Sequence, residues 1–249
     1  MQGILYVSHG SRVPEATEEA KACISDVMDE VEIPLQETCF LELAEPTIEQ
    51  GMASLVNQGA TKISIVPVLL LSAGHYYEDI PGEIQDAKAK YPEITFSYGE
   101  PLGVQPRITD VLADRLKEAG ALPQPEARIL LVGRGSRKPQ TKKDIKQIRE
   151  HLQDRVGIRT EVGFLAACEP SFEESFESLL AEGHSQIFVV PYLWFTGILM
   201  RDLEAKVAEA REQSYNVTLC HQLGCHRIMQ EALKERVYES IGRTLKNHQ

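Results

Sequence analysis

The chain contains a copy of itself. Residues 3–12 (GILYVSHGSR) and 128–137 (RILLVGRGSR) agree at six of ten positions. Residues 40–70 agree with 164–194 at 12 of 31, where ordinary residue frequencies would give about two. The offset between matched residues drifts from 125 to 124 and then to about 121 near the C-terminus, as small loop deletions produce. A period near 124 is far too long for a solenoid and is the size of a domain. The chain therefore reads as two similar domains, residues 1–121 and 122–249, with the break in the non-periodic stretch Ala121–Ala127 and its two prolines.

Within each copy, short apolar runs alternate with helical periodicity. Ile4–Val7 reads as a strand, Pro14–Val31 as a helix with apolar residues at Ala20, Cys23, Ile24, Val27 and Val31, and Thr38–Leu41 as a second strand. Thr47 with Gln50, and Ser171 with Glu174, have the spacing of a capping box. The helices they open should stop near Gly59 and Gly183. Ile63–Leu71 and Ile187–Phe195 are continuous apolar runs, as expected of strands covered on both faces. Strand alternating with helix predicts two doubly wound α/β domains with parallel sheets, facing each other across a central cleft.

The formal charge of −11, from 26 basic and 37 acidic residues, argues against nucleic acid or an anionic membrane as partner. No apolar run reaches the 18 residues of a membrane span, and the N-terminus does not read as a signal peptide. Five scattered cysteines give no disulfide framework and point to a reducing cytoplasm.

Chemistry is expected where the copies differ. In an open α/β sheet, ligands bind beyond the carboxyl ends of the strands. At those ends the first half carries His9, Glu42 and His75; the second half carries Arg134, Ala166 and Ile198 in the matching places. Gly74 then aligns with Gly197 and Asp79 with Asp202. Two imidazoles and a carboxylate at one sheet edge suit a divalent transition metal, and the same groups accept protons near neutrality. The second half brings positive charge instead, in Arg134, Arg137, Lys138 and Arg201, while Arg12 matches Arg137. Arginine forks bind carboxylates bidentately, so these residues, with Ser11 beside Arg12, are candidates for holding an acidic substrate. The glycine-rich turns fit neither a phosphate loop nor a dinucleotide fingerprint. Cys220-His221 and Cys225-His226 offer zinc-type ligands, but not at the intervals of a zinc site.

SHGSR, FLELAEP and VPVLLLSAGHYYEDIP together resemble the class II chelatases that insert metal into tetrapyrroles, and most closely the sirohydrochlorin chelatases of the CbiX/SirB type in their long, internally duplicated form. The resemblance implies metal-binding histidines at His9 and His75 and an acidic partner at Glu42, which assists ligation or proton removal. It implies insertion of Fe²⁺ into sirohydrochlorin to give siroheme, or of Co²⁺ for cobalamin synthesis. Arg12, Arg134, Arg137 and Arg201 would hold the substrate's carboxylates. The metal is a substrate, and no tightly bound cofactor is implied. The C-terminus RTLKNHQ lacks the histidine-rich tract and cysteine cluster of some cobalt-pathway relatives, which favours iron. A monomer is expected, since the duplication mimics a dimer within one chain. Two other readings stand beside this one: a non-catalytic metal or tetrapyrrole carrier, and an unrelated α/β enzyme using His9 as general base.

Overall fold

The computed structural model describes residues 1–122, 124 and 126–242, so part of the expected break at Ala121–Ala127 and the tail from residue 243 lie outside the described residues. The first half runs β1 (Gln2–Ser8), α1 (Pro14–Glu30), β2 (Leu35–Phe40), α2 (Ile48–Asn57), β3 (Lys62–Pro67), one π-helical turn (His75–Asp79), α3 (Ile80–Lys90), β4 (Thr95–Tyr98) and α4 (Pro106–Glu118). The second half repeats the order as β5 (Ala127–Gly133), α5 (Pro139–Val156), β6 (Thr160–Phe164), α6 (Phe172–Ala181), β7 (Gln186–Tyr192), α7 (Ile198–Glu212), β8 (Val217–Leu219) and α8 (Arg227–Ser240).

Each half forms a four-stranded parallel sheet, ordered β2-β1-β3-β4 and β6-β5-β7-β8. β1, β3 and β7 are buried along almost their whole length, because helices cover both faces of each sheet. In the first sheet Leu5, Val7, Ile63 and Ile65 pack with Met52 and Leu55 of α2 and with Ile80 and Ile84 of α3. In the second, Leu130, Val132 and Val189 pack with Phe172 and Phe176 of α6 and with Leu203 and Val207 of α7.

Local signals act as their chemistry dictates. Pro14, Pro106 and Pro139 open helices at the position where a missing N–H costs nothing. Both capping boxes form, with Gln50 N–H donating to Thr47 Oγ1 and Glu174 N–H to Ser171 Oγ. Thr47→Ala and Ser171→Ala should each lower stability by about 1 kcal/mol, read as a shift of the urea midpoint at constant slope.

Two expectations need correction. The apolar runs after β3 and β7 outlast the strands, which end at Pro67 and Tyr192. Pairing stops there because β1 ends: Val68 N–H donates to the Val7 carbonyl, and the chain then leaves the sheet. Among the described residues, Cys39, Cys168 and Cys220 are free thiols. Lastly, the compact units do not follow the linear division at 121/122. Among the described residues, one unit is residues 1–103 with 229–242, and the other is residues 104–228. The last helix of each sequence repeat is exchanged. In the first unit, α8 is tied down by Ser64 Oγ to Ser240 Oγ at 2.6 Å, by Tyr238 Oη accepting from Glu32 N–H, and by Arg236 donating to the Leu102 carbonyl. In the second, α4 is held by Arg115, which donates to the carbonyls of Gln222 and Leu223, and by Asp110 paired with Arg155 at 2.7 Å.

Candidate metal centre

β1 lies between β2 and β3, so the chain leaves β1 in opposite directions to build the two sides of the sheet. That reversal leaves a crevice at the carboxyl ends of β1 and β3, the usual ligand position in such sheets. His9 follows β1, Glu42 follows β2 and His75 follows β3.

Backbone contacts bring the first two loops together. Leu41 N–H donates to the Ser8 carbonyl at 2.9 Å and Glu42 N–H to the His9 carbonyl at 3.1 Å. Between them Gly10 sits at φ +90°, where a Cβ would fall 1.8 Å from the Glu42 carbonyl oxygen. Only glycine fits this crossing. Leu43, next to Glu42, is held at φ 62°, which is sterically disfavoured for a branched side chain.

The side chains then converge. One ligand atom from each of His9, Glu42 and His75 lies within 4.8 Å of the other two. His9 Nε2 is 3.5 Å from Glu42 Oε1, and the two imidazoles meet edge to face with centroids 4.5 Å apart. His9 Nδ1 is 3.2 Å from the Gly10 carbonyl. A carbonyl only accepts, so this contact puts the proton on Nδ1 and leaves the Nε2 lone pair facing the cluster. Two imidazoles and one carboxylate, all partly exposed, can hold a first-row divalent ion and leave coordination positions open.

The second half keeps the backbone and drops these three side chains. Leu165 and Ala166 N–H groups donate to the Gly133 and Arg134 carbonyls, Gly135 has φ +87° with a Cβ position 1.8 Å from the Ala166 carbonyl, and Ala167 is at φ 54°. Arg134, Ala166 and Ile198 are exposed where His9, Glu42 and His75 stand in the first half. Among the described residues, His9, Glu42 and His75 form the one metal-competent group. The cysteine–histidine segment is not another: burial pushes the Cys220 thiol up to about 12, away from the thiolate a metal needs, and His226 Nδ1 accepts from Ile228 N–H.

Of the predicted substrate-binding residues, Arg12, Arg134, Arg137 and Arg201 are exposed. Arg137 lines an open cavity of about 600 Å³ together with Ser136, Lys138, Lys142, Cys168 and Glu169. Ser11 has a structural duty as well, since its Oγ accepts from Val13 N–H at 3.1 Å; Ser136 does the same for Lys138 N–H. The sequence reading gave no part to Asp79, whose Oδ2 lies 2.7 Å from His75 Nδ1 across the π-helical turn. The signal available was its i,i+4 spacing from His75. Tyr98 at the end of β4 props this turn: its hydroxyl, kept neutral by burial, donates to the Tyr76 carbonyl at 3.0 Å, and the two rings stack.

Known proteins resemble this chain along nearly its whole length. The CbiX family model matches residues 3–119 and again 128–240. The chain is 41% identical over 239 residues to a sirohydrochlorin ferrochelatase of Priestia megaterium, covering 95% of this chain and 90% of the relative. It is 34% identical over 248 residues to a sirohydrochlorin cobaltochelatase of the same organism, covering 97% and 80%. The solved structure of SirB from Bacillus subtilis with Fe³⁺ superposes with a TM-score of 0.86 at 40% identity, covering 96% of this chain and 95% of that one. With its motif at both repeats and this likeness along nearly its whole length, the chain belongs to the CbiX family.

Proposed function

We propose that this chain is a metal chelatase of the lyase class that inserts Fe²⁺ into sirohydrochlorin, giving siroheme and releasing two protons. The observation that carries this reading is the convergence of His9, Glu42 and His75 at the crevice of the first sheet, with ligand atoms within 4.8 Å. Insertion requires a cation held firmly enough to lose part of its water, yet loosely enough to pass to four ring nitrogens. Two imidazole nitrogens with open positions beside them meet both needs. As two metal–nitrogen bonds form, two pyrrole N–H protons must leave. Glu42, with its side chain 49% exposed, accepts them in turn and passes them to water.

Sirohydrochlorin is a polycarboxylate, and Arg12, Ser11, Arg134, Arg137 and Arg201 are the residues we assign to its carboxylates. The first sequence half thus carries the chemistry and the second serves as support and substrate clamp. The protein works as a monomer, since one chain already holds both repeats, and without a resident cofactor. We place it in the cytoplasm, where ferrous ion persists. No helix among the described residues is long and apolar enough to cross a membrane. Cobalt is the second reading, favoured by the 34% identity to a cobaltochelatase.

Anaerobic absorbance of sirohydrochlorin with Fe²⁺, and separately Co²⁺, tests both. A protein-dependent spectral change that is faster with iron is the expected result. Binding of both substrates without acceleration would make the protein a carrier. An activity that survives removal of metal by a chelator would belong to neither.

A further inference from the structure

The π-helical turn His75–Asp79 has no counterpart in the second half, where α7 starts at Ile198 directly after Gly197. Asp79 immediately precedes α3, a position from which an aspartate ordinarily caps a helix by accepting backbone N–H groups. It makes no such bond here, and its own backbone is already helical at φ −72° and ψ −54°. Its carboxylate turns back to His75, with Oδ2 2.7 Å from Nδ1. Nor does the aspartate by itself create the turn. Asp202 occupies the matching place within the regular helix α7, four residues after Ile198, and there is no imidazole there to meet.

A carboxylate can only accept, so His75 Nδ1 must donate to it. The proton is then on Nδ1 and the lone pair on Nε2. Neutral histidine in water favours the opposite tautomer, so a fixed partner is needed to reverse the preference. His9 is oriented by a backbone carbonyl at 3.2 Å, whereas His75 has the shorter, charge-assisted contact. We propose that Asp79 is a positioning residue: it holds His75 in the Nδ1–H tautomer with the ring fixed, so that Nε2 is offered to the incoming divalent ion. This rests on the metal-site reading above, and it matches the general habit of metal-binding imidazoles to be held by a carboxylate behind them.

Two measurements on the full chain test it, both without substrate turnover. Long-range proton–nitrogen NMR of the metal-free protein reports the tautomer of each imidazole, with the His75 signals assigned by their loss in His75→Ala. Co²⁺ titration, followed by visible absorption, reports metal affinity. The wild type should show Nδ1–H at His75. Asp79→Ala should shift His75 to Nε2–H and weaken Co²⁺ binding about 10- to 100-fold, at an unchanged melting temperature. Asp79→Asn, which keeps an acceptor oxygen, should retain the tautomer and lose less affinity. An Nε2–H tautomer in the wild type would overturn the proposal without any variant. So would an Asp79→Ala protein whose tautomer or Co²⁺ affinity is unaltered. If His75→Ala also binds Co²⁺ normally, the failure lies with the metal site itself, and the tautomer measurement still decides the part played by Asp79.

Discussion

His9→Ala and His75→Ala proteins are expected to fold normally and to lose metal insertion, with rates down at least about 100-fold. Each substitution removes one of the two imidazoles proposed as ligands from a three-residue set, and ligand loss costs more than the about 10- to 100-fold typical of outer partners. Folding should be spared because neither ring belongs to the core: the side chains are 25% and 28% exposed. Neither does a second group stand in reserve among the described residues, since the matching places hold Arg134, Ala166 and Ile198. Initial rates of the sirohydrochlorin absorbance change, alongside melting curves, give the answer. Wild-type rates in folded variants would remove both histidines from the mechanism. Glu42→Gln adds resolution: it should retain Co²⁺ affinity better than it retains the insertion rate, if the carboxylate acts chiefly as the proton acceptor.

The second large effect concerns the glycines behind the loops. Gly10→Ala and Gly135→Ala each place a methyl group 1.8 Å from a carbonyl oxygen, at backbone angles that themselves cost an L residue about 1–2 kcal/mol. Each should lose about 3 kcal/mol or more of stability, measured by denaturant unfolding. The two should part company in metal binding. Gly10 sets the crossing of the His9 and Glu42 loops, so its variant should lose Co²⁺ affinity as well. Gly135 sets the same crossing under Arg134 and Ala166, where no ligand remains, so its variant should bind Co²⁺ as the wild type does. Equal metal affinity in both variants would separate the crossing from the site.

Much of this was legible in the sequence because the signals were local or repeated. The duplication needed only a comparison of the chain with itself, and the capping boxes and buried strands are written in adjacent residues. The cluster of His9, Glu42 and His75 emerged from what one copy has and the other lacks. What stayed hidden depends on tertiary context. The run Val68–Leu71 is as apolar as the strand before it, and only the end of β1 stops the pairing. Asp79 reads as one acidic residue near a helix start until the π-helical turn folds it under His75. The amphipathic stripes of α4 and α8 announce that each helix buries a face, but not which sheet receives it.

That last ambiguity has a consequence for how such a chain can be divided. Cut at its sequence seam, the protein would yield two pieces, neither of them a closed fold. The piece ending before β5 would leave bare the surface that Tyr238, Arg236 and Ser240 cover, and would carry α4 without the carbonyls that Arg115 binds. The other piece would have the converse defect. Each fragment thus holds the missing helix of the other, and co-expressed halves should reconstitute the whole by complementation, whereas each half alone should be unstable. A break in the gene at this point would be tolerated only while both products are made together.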